Sequence, residues 1–175
     1  MSVFNFLKDF SMRIFKPEFY FKNIFSIDIE FLKKNNIKAL LLDADNTLCI
    51  FHTDVPVDGV LEWIERMKSN GIDLHILSNA KPHRLTTFAN NVGLPYFYMS
   101  MKPLPFKINK AVKKLGLKKE EVALVGDQLF TDILGGNLAG VKTIWLDYIQ
   151  LEDGWTFKFK RMVEKNLKKN YKRGD

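Results

Sequence analysis

Ile37-Lys38-Ala39-Leu40-Leu41-Leu42-Asp43-Ala44-Asp45-Asn46-Thr47-Leu48 sets a short, largely apolar run directly ahead of two carboxylates one residue apart. A run of that length and β-strand character reads as a strand buried on both faces, the kind found in parallel sheets. In open parallel sheets ligands bind in the crevice beyond the carboxyl ends of the strands. Asp43, the last strand residue, is therefore expected to present a nucleophile there, and Asp45, on the outgoing loop, a general acid facing the leaving oxygen. Thr47 is expected to offer its hydroxyl to a phosphoryl oxygen.

The rest of the chain supports this reading by alternation. Runs at Ile72 to Leu77, Pro95 to Met99, Val122 to Val125 and Thr143 to Leu146 read as four further strands. Helical patterns at Val57 to Asn70, Pro82 to Asn91, Pro105 to Leu115 and Thr131 to Ala139 separate the five, each followed closely by a glycine that suits a helix stop. Regular βα alternation with short links predicts an α/β fold, a doubly wound parallel sheet of Rossmann-like form flanked by helices. The 175 residues are expected to form one domain: a Phe-rich leader with a helix over 1–36, a catalytic α/β core over 37–148 and a basic C-terminal helix over 149–175.

A real site should recur at the same sheet edge, and every other strand end carries polar groups. The second strand ends in Ser78-Asn79, the third is followed by Ser100-Met101-Lys102-Pro103, and the fourth runs into Gly126-Asp127-Gln128-Leu129-Phe130-Thr131-Asp132. A dianionic phosphoryl group approaches a carboxylate only if the repulsion is offset, which a divalent cation and a lysine can do. Asp43, Asp127 and the backbone carbonyl of Asp45 would supply hard oxygen ligands for Mg²⁺. Lys102 would neutralise the remaining charge, Ser78 and the amide of Asn79 would bind phosphoryl oxygens, and Asp132 would orient Lys102 or a coordinating water. Lys107 also follows the third strand, but the helix started by Pro103 and Pro105 would carry it away from the edge.

Four motifs in order, DADNTL at 43–48, Ser78, Lys102 before a proline and GDQLFTD at 126–132, resemble those of the haloacid dehalogenase (HAD) superfamily of phosphatases. The detail of GDQLFTDILGGNLAG at 126–140, with the aromatic leader and Phe159-Lys160-Arg161 in the tail, is similar to the YqeG-type branch of subclass IIIA. That resemblance implies a Mg²⁺-dependent phosphomonoester hydrolase acting through an aspartyl-phosphate. It also implies metal ligation by Asp43, Asp45, Asp127 and Asp132. The branch is similar in turn to phosphatidylglycerophosphate phosphatases, so an anionic phospholipid enters as a candidate substrate. Cys49 to Val55 and Lys81 to Tyr96 are too short to hold a cap domain, so an open site is expected, suited to large substrates. The alternatives are a phosphatase for another large or soluble substrate, or a weakly catalytic protein that docks on membrane or ribonucleoprotein.

Composition narrows the setting. One cysteine, Cys49, rules out an internal disulfide framework and suits a reducing compartment. His52, His75 and His83 lack zinc-ligand spacing. No stretch approaches the ~20 apolar residues of a membrane span, and Lys8, Asp9 and Arg13 interrupt any signal-peptide-like run. The expected location is the cytoplasm, with peripheral association at the inner membrane surface. Two features motivate that association. Eight of the fifteen phenylalanines fall within the first 31 residues, where Val3, Phe6, Leu7, Phe10, Ile14 and Phe15 fit one helix face. The last 18 residues hold eight Lys/Arg against Glu164 and Asp175, hence +6 of the net +7, while Phe159, Val163, Leu167 and Tyr171 recur every four residues as the expected apolar face of a basic helix. Nucleic acid ranks below membrane as a partner, since no binding motif accompanies the charge.

Overall fold

Residues 14–174 are described in the computed structural model of the protein. The expected leader helix lies almost wholly outside them.

Strand β2 (Ala39–Leu42) is buried along its whole length, and its side chains divide between two layers. Leu40 and Leu42 join a cluster with Trp63, Met67 and Phe88, while Ala39 and Leu41 join Ile108, Val112 and Leu124 in another. That two-sided burial follows from covering the sheet on both faces. Helices α1 (Ile29–Lys34), α2 (Val60–Ser69) and α3 (Pro82–Val92) supply the first layer, and α4 (Phe106–Leu115) and α5 (Leu134–Ala139) the second. Gly93 and Gly116 close α3 and α4 in the left-handed region, where a residue without Cβ is unstrained.

The remaining strands are β1 (Phe19–Phe21), β3 (Asp73–Leu77), β4 (Tyr96–Phe97), β5 (Val122–Gly126) and β6 (Lys142–Leu146). All pairings are parallel and the order is β1-β6-β5-β2-β3-β4. The chain winds outward from β2 through β3 to β4, then returns to β5 on the other side. The crevice between β2 and β5 is thus the switch point of the sheet. The doubly wound α/β sheet is the fold expected, and no cap domain interrupts it among the described residues.

Two expectations are corrected. The sheet has a sixth strand, β1, drawn from the leader, and Phe19 and Phe21 pack edge-on against Phe31, with ring centroids 4.9 and 4.8 Å apart. A three-residue strand carries too little alternation to be recognised among so many aromatics. Phe21 is buried in the core and Phe19 and Phe31 are packed against it, so these three phenylalanines are engaged in the fold and not free to insert into a membrane.

The second correction concerns α6 (Trp155–Lys168), which does not bury the Phe159 stripe. Its buried residues are Arg161 and Glu164, and Lys168 donates to the Leu146 carbonyl and to Asp147 at 3.0 and 2.7 Å. Leu167 and Tyr171 pack on the Tyr20–Trp145 cluster as expected, but Phe159 is 57% exposed. Charged groups displaced the apolar face because they meet buried partners. No helix among the described residues is long and apolar enough to cross a membrane.

Candidate active site

Asp43 follows β2, and Asp127 follows β5 in the neighbouring position, since Leu42 pairs with Val125 and the Asp43 N–H donates to the Val125 carbonyl at 2.9 Å. Asp132 reaches the same point from a π-helical turn at Leu129–Ile133, which winds more widely than an α-helix and directs this side chain inward. Its carboxylate accepts from the Gln128 N–H at 3.0 Å. One oxygen from each of Asp43, Asp127 and Asp132 lies within 4.8 Å of the others, and all three residues are buried.

Gly126 makes the approach possible. A Cβ there would stand 2.3 Å from Cγ of Asp132. Gly126→Ala should therefore displace Asp132 and lower stability by about 1–3 kcal/mol, with activity falling further than stability accounts for. Wild-type turnover in a folded Gly126→Ala protein would remove Asp132 from the site.

Lys102 closes the cluster, its Nζ lying 2.8 Å from Asp43 and 2.6 Å from Asp132. Lys107 instead contacts the carbonyl and ring of Tyr98, so the choice of Lys102 is the one the geometry supports. Ser78 is buried in the wall of the cleft, where its Oγ accepts from the Ala80 N–H at 3.1 Å. Asn79 differs from expectation. Its Oδ1 accepts from Ser100 and from the Lys102 N–H at 2.7 and 2.8 Å, and its Nδ2 donates to the Lys102 carbonyl at 3.1 Å. The carboxamide thus braces the lysine segment, while Asn79 still lines the cleft beside Ser78. Thr47 differs more, because it is buried beside Phe25, Val57 and Val60 in a separate cavity and does not line the cleft. The chain turns at Asn46, whose φ is +56°, and the turn carries Thr47 away from the sheet edge.

Asp45 does line the cleft, but its carboxylate stands outside the metal-type cluster. It accepts from the His52 N–H at 2.8 Å and is paired with Arg84 of α3. The cleft measures about 570 Å³, and its lining includes Lys81, Arg84 and Lys102 together with Phe157 and Lys160 of α6. Phe51 and Phe157 meet edge-on at 5.6 Å.

Arg161 entered the sequence reading only as part of the tail's resemblance, and its place beside the acidic cluster was the largest feature missed. Its guanidinium, buried in the fold, pairs with Asp127 and Glu152 and donates to Glu164 at 2.8 Å and to the Asp127 carbonyl at 3.1 Å. Glu164 in turn accepts from the Leu129 N–H at 2.8 Å, fixing the start of the π turn. The available signal was an arginine among lysines, with acids nine residues before and three after it; arginine's planar fork suits buried multiple pairing where lysine's point charge does not. Arg84 and Asn46 were also unassigned. The latter's Oδ1 accepts from the Gln150 N–H at 3.0 Å and ties the first motif to the segment after β6.

Five buried acids, Asp43, Asp127, Asp132, Glu152 and Glu164, face two buried cations, Lys102 and Arg161. If all are ionised the group carries a net charge of −3. Burial pushes the Asp43 carboxyl up to about 7 against the pull of Lys102. It likewise holds Asp127 well above the usual carboxylate range against the pull of Arg161. Burial works to lower Lys102, but Asp132 and Asp43 outweigh it and the ammonium is held above its ordinary value. Burial likewise pushes the Cys49 thiol up to about 12, which disfavours the thiolate.

The excess of buried negative charge, together with an Oδ1 of Asp127 that has no hydrogen-bond partner, fits a hard divalent cation held by Asp43, Asp127 and Asp132. Without metal, Asp43 titrates at about 7 folded and near 3.8 unfolded. The native state then binds the extra proton between those values, so this group adds stability as pH falls through about 7 and withdraws it as pH rises. In chelator, raising pH from about 5.5 to 7.5 should lower the wild-type melting temperature relative to Asp43→Asn. A constant difference between the two proteins would contradict that placement of Asp43.

A family model for haloacid dehalogenase-like hydrolases matches residues 18–140. The chain is 38% identical over 161 residues to the probable phosphatase YqeG of Bacillus subtilis (strain 168), covering 92% of this chain and 94% of that one. It is 31% identical over 126 residues to a mitochondrial phosphatidylglycerophosphatase of Saccharomyces cerevisiae, covering 64% and 68%. Among solved structures, an uncharacterized protein from Listeria monocytogenes serotype 4b superposes with a TM-score of 0.55 at 20% identity, covering 76% of this chain and 99% of that one, a likeness of fold.

Proposed function

We propose that this chain, which belongs to the haloacid dehalogenase-like hydrolases and is a phosphatase of that family, cleaves phosphomonoesters through a phosphorylated Asp43, with phosphatidylglycerophosphate the leading candidate substrate. The observation that carries this reading is the convergence of Asp43, Asp127, Asp132 and Lys102 in one buried cluster at the switch point of the sheet.

In the first step an Asp43 oxygen forms a bond to phosphorus as the bond to the ester oxygen breaks, and Asp45 gives that oxygen its proton. Water then attacks the aspartyl-phosphate, Asp45 takes the proton, and phosphate leaves with Asp43 restored. Lys102 contacts the nucleophile directly and favours its ionised form, offsetting the burial that holds it high. The Ser78 hydroxyl, in the cleft wall, binds a phosphoryl oxygen. His52 and Arg84 fix the Asp45 carboxylate in the cleft. Mg²⁺, held by Asp43, Asp127, Asp132 and the carbonyl of Asp45, would neutralise phosphoryl charge and stabilise ionised Asp43.

The lipid substrate is supported by the open cleft, the absence of a cap among the described residues and the similarity to the yeast enzyme. Such a substrate places the enzyme peripherally at the cytoplasmic surface of a membrane. A phosphatase panel with Mg²⁺ tests the reading, setting phosphatidylglycerophosphate in mixed micelles beside sugar and nucleotide phosphates. Hydrolysis should require Mg²⁺, cease in chelator and favour the lipid; activity confined to soluble metabolites would refute the substrate, and no activity on any phosphomonoester would refute the enzyme reading.

A further inference from the structure

Thirteen of the sixteen exposed large hydrophobic side chains among the described residues lie in the segments that leave the carboxyl ends of β2, β4 and β6, the sheet edge at which the cleft opens. A soluble surface ordinarily scatters such residues, and their concentration on one face marks a contact surface. Helix α6 is turned inside out relative to an ordinary surface helix. Inward it commits Arg161 and Glu164, and outward it presents Trp155 at 80% exposure, Phe159 at 57% and Met162 at 55%. Lys158 and Lys165 are exposed on the same helix, Lys160 lines the cleft, and the helix's only carboxylate, Glu164, is buried. The segment carrying Lys102, which also lines the cleft, exposes Met101, Leu104 and Phe106.

We propose that this rim, with the outer face of α6 at its centre, docks on an anionic lipid bilayer so that the cleft opens onto the membrane surface. Aromatic and flexible apolar side chains flanked by lysines, without an exposed acid on the helix, match the composition of an interfacial helix face. Tryptophan favours the level of the headgroups, and the lysines are complementary to anionic lipid. This inference deepens the phosphatase reading, on whose lipid substrate the orientation of the cleft rests. It narrows the contact from the leader phenylalanines and the tail as a whole to one face of α6, since Phe15, Phe19, Phe21 and Phe31 pack in or against the core, leaving Phe25 exposed among the described leader phenylalanines, and Arg161, Glu164 and Lys168 are engaged in the fold.

Trp155 supplies a site-specific probe, because Trp63 and Trp145 are buried. The full chain is mixed with vesicles of phosphatidylglycerol and phosphatidylcholine, or of phosphatidylcholine alone; neither lipid is a phosphomonoester. With the anionic vesicles the protein should co-sediment, its tryptophan emission should shift to the blue, and an aqueous quencher should lose access to Trp155, all reversed as salt rises. Trp155→Ala/Phe159→Ala/Met162→Ala should bind at least about tenfold more weakly with an unchanged melting temperature and unchanged hydrolysis of a soluble phosphomonoester. Sedimentation with Trp155 still open to quencher would place the contact elsewhere and overturn the proposal. Absence of sedimentation would overturn it also, as would protection of Trp155 by raised protein concentration alone, which would assign the face to a protein partner. Activity on the soluble ester reports separately on the phosphatase reading.

Discussion

Asp43→Asn should be folded and inert, with turnover down by about 10⁴-fold or more. The amide cannot form the aspartyl-phosphate, yet it removes a negative charge from a buried cluster that holds too many. The variant should therefore melt at or above the wild-type temperature in chelator near neutral pH, where wild-type Asp43 bears the cost of ionisation. Loss of activity with gain of stability separates a chemical role from a structural one. An Asp43→Asn protein that turns over at the wild-type rate would contradict the covalent mechanism, and one that fails to fold would contradict the charge balance described for the site.

Arg161→Met has the opposite signature. Removing the guanidinium leaves Asp127, Glu152 and Glu164 buried together without their shared cation, a loss of about 3–5 kcal/mol. In a chain of this size the melting temperature should fall by roughly 10 °C or more. Because Arg161 holds one oxygen and the carbonyl of Asp127, Mg²⁺, expected to raise the wild-type melting temperature by binding the native state, should need about 10- to 100-fold higher concentration to do so in this variant. Arg161→Lys should recover only part of either effect, since one ammonium cannot reproduce contacts with three carboxylates and a carbonyl. A wild-type melting curve for Arg161→Met would show that the cluster is not assembled as described, and removal of the whole tail is correspondingly no test of membrane binding, because it removes this arginine.

The contrast between these residues explains what could be read in the sequence. Asp43, Asp127 and Lys102 stand beside strands whose apolar runs are plain, and strand order in a doubly wound sheet brings their ends together by rule. Asp132 was legible because it lies a fixed distance beyond Asp127. Thr47 and the carboxamide of Asn79 were misplaced because a turn with φ of +56° at Asn46 and a hydrogen-bond brace to the lysine segment are decided by side-chain geometry, which spacing does not encode. Strand β1 was hidden by its three-residue length among aromatics. The face of α6 was misread because apolar period normally predicts burial, and here a guanidinium with three buried carboxylate partners decided which side turned inward.

The central claim is that Asp43 becomes phosphorylated during turnover. Single-turnover reaction with Mg²⁺ and a phosphomonoester, quenched in acid and digested, should give a peptide containing Asp43 that is heavier by one phosphoryl group and returns to its original mass on hydroxylamine treatment. The modification should be absent from Asp43→Asn. A phosphoryl group found on another residue, or hydrolysis by active enzyme with no phosphorylated peptide at any time point, would contradict the account.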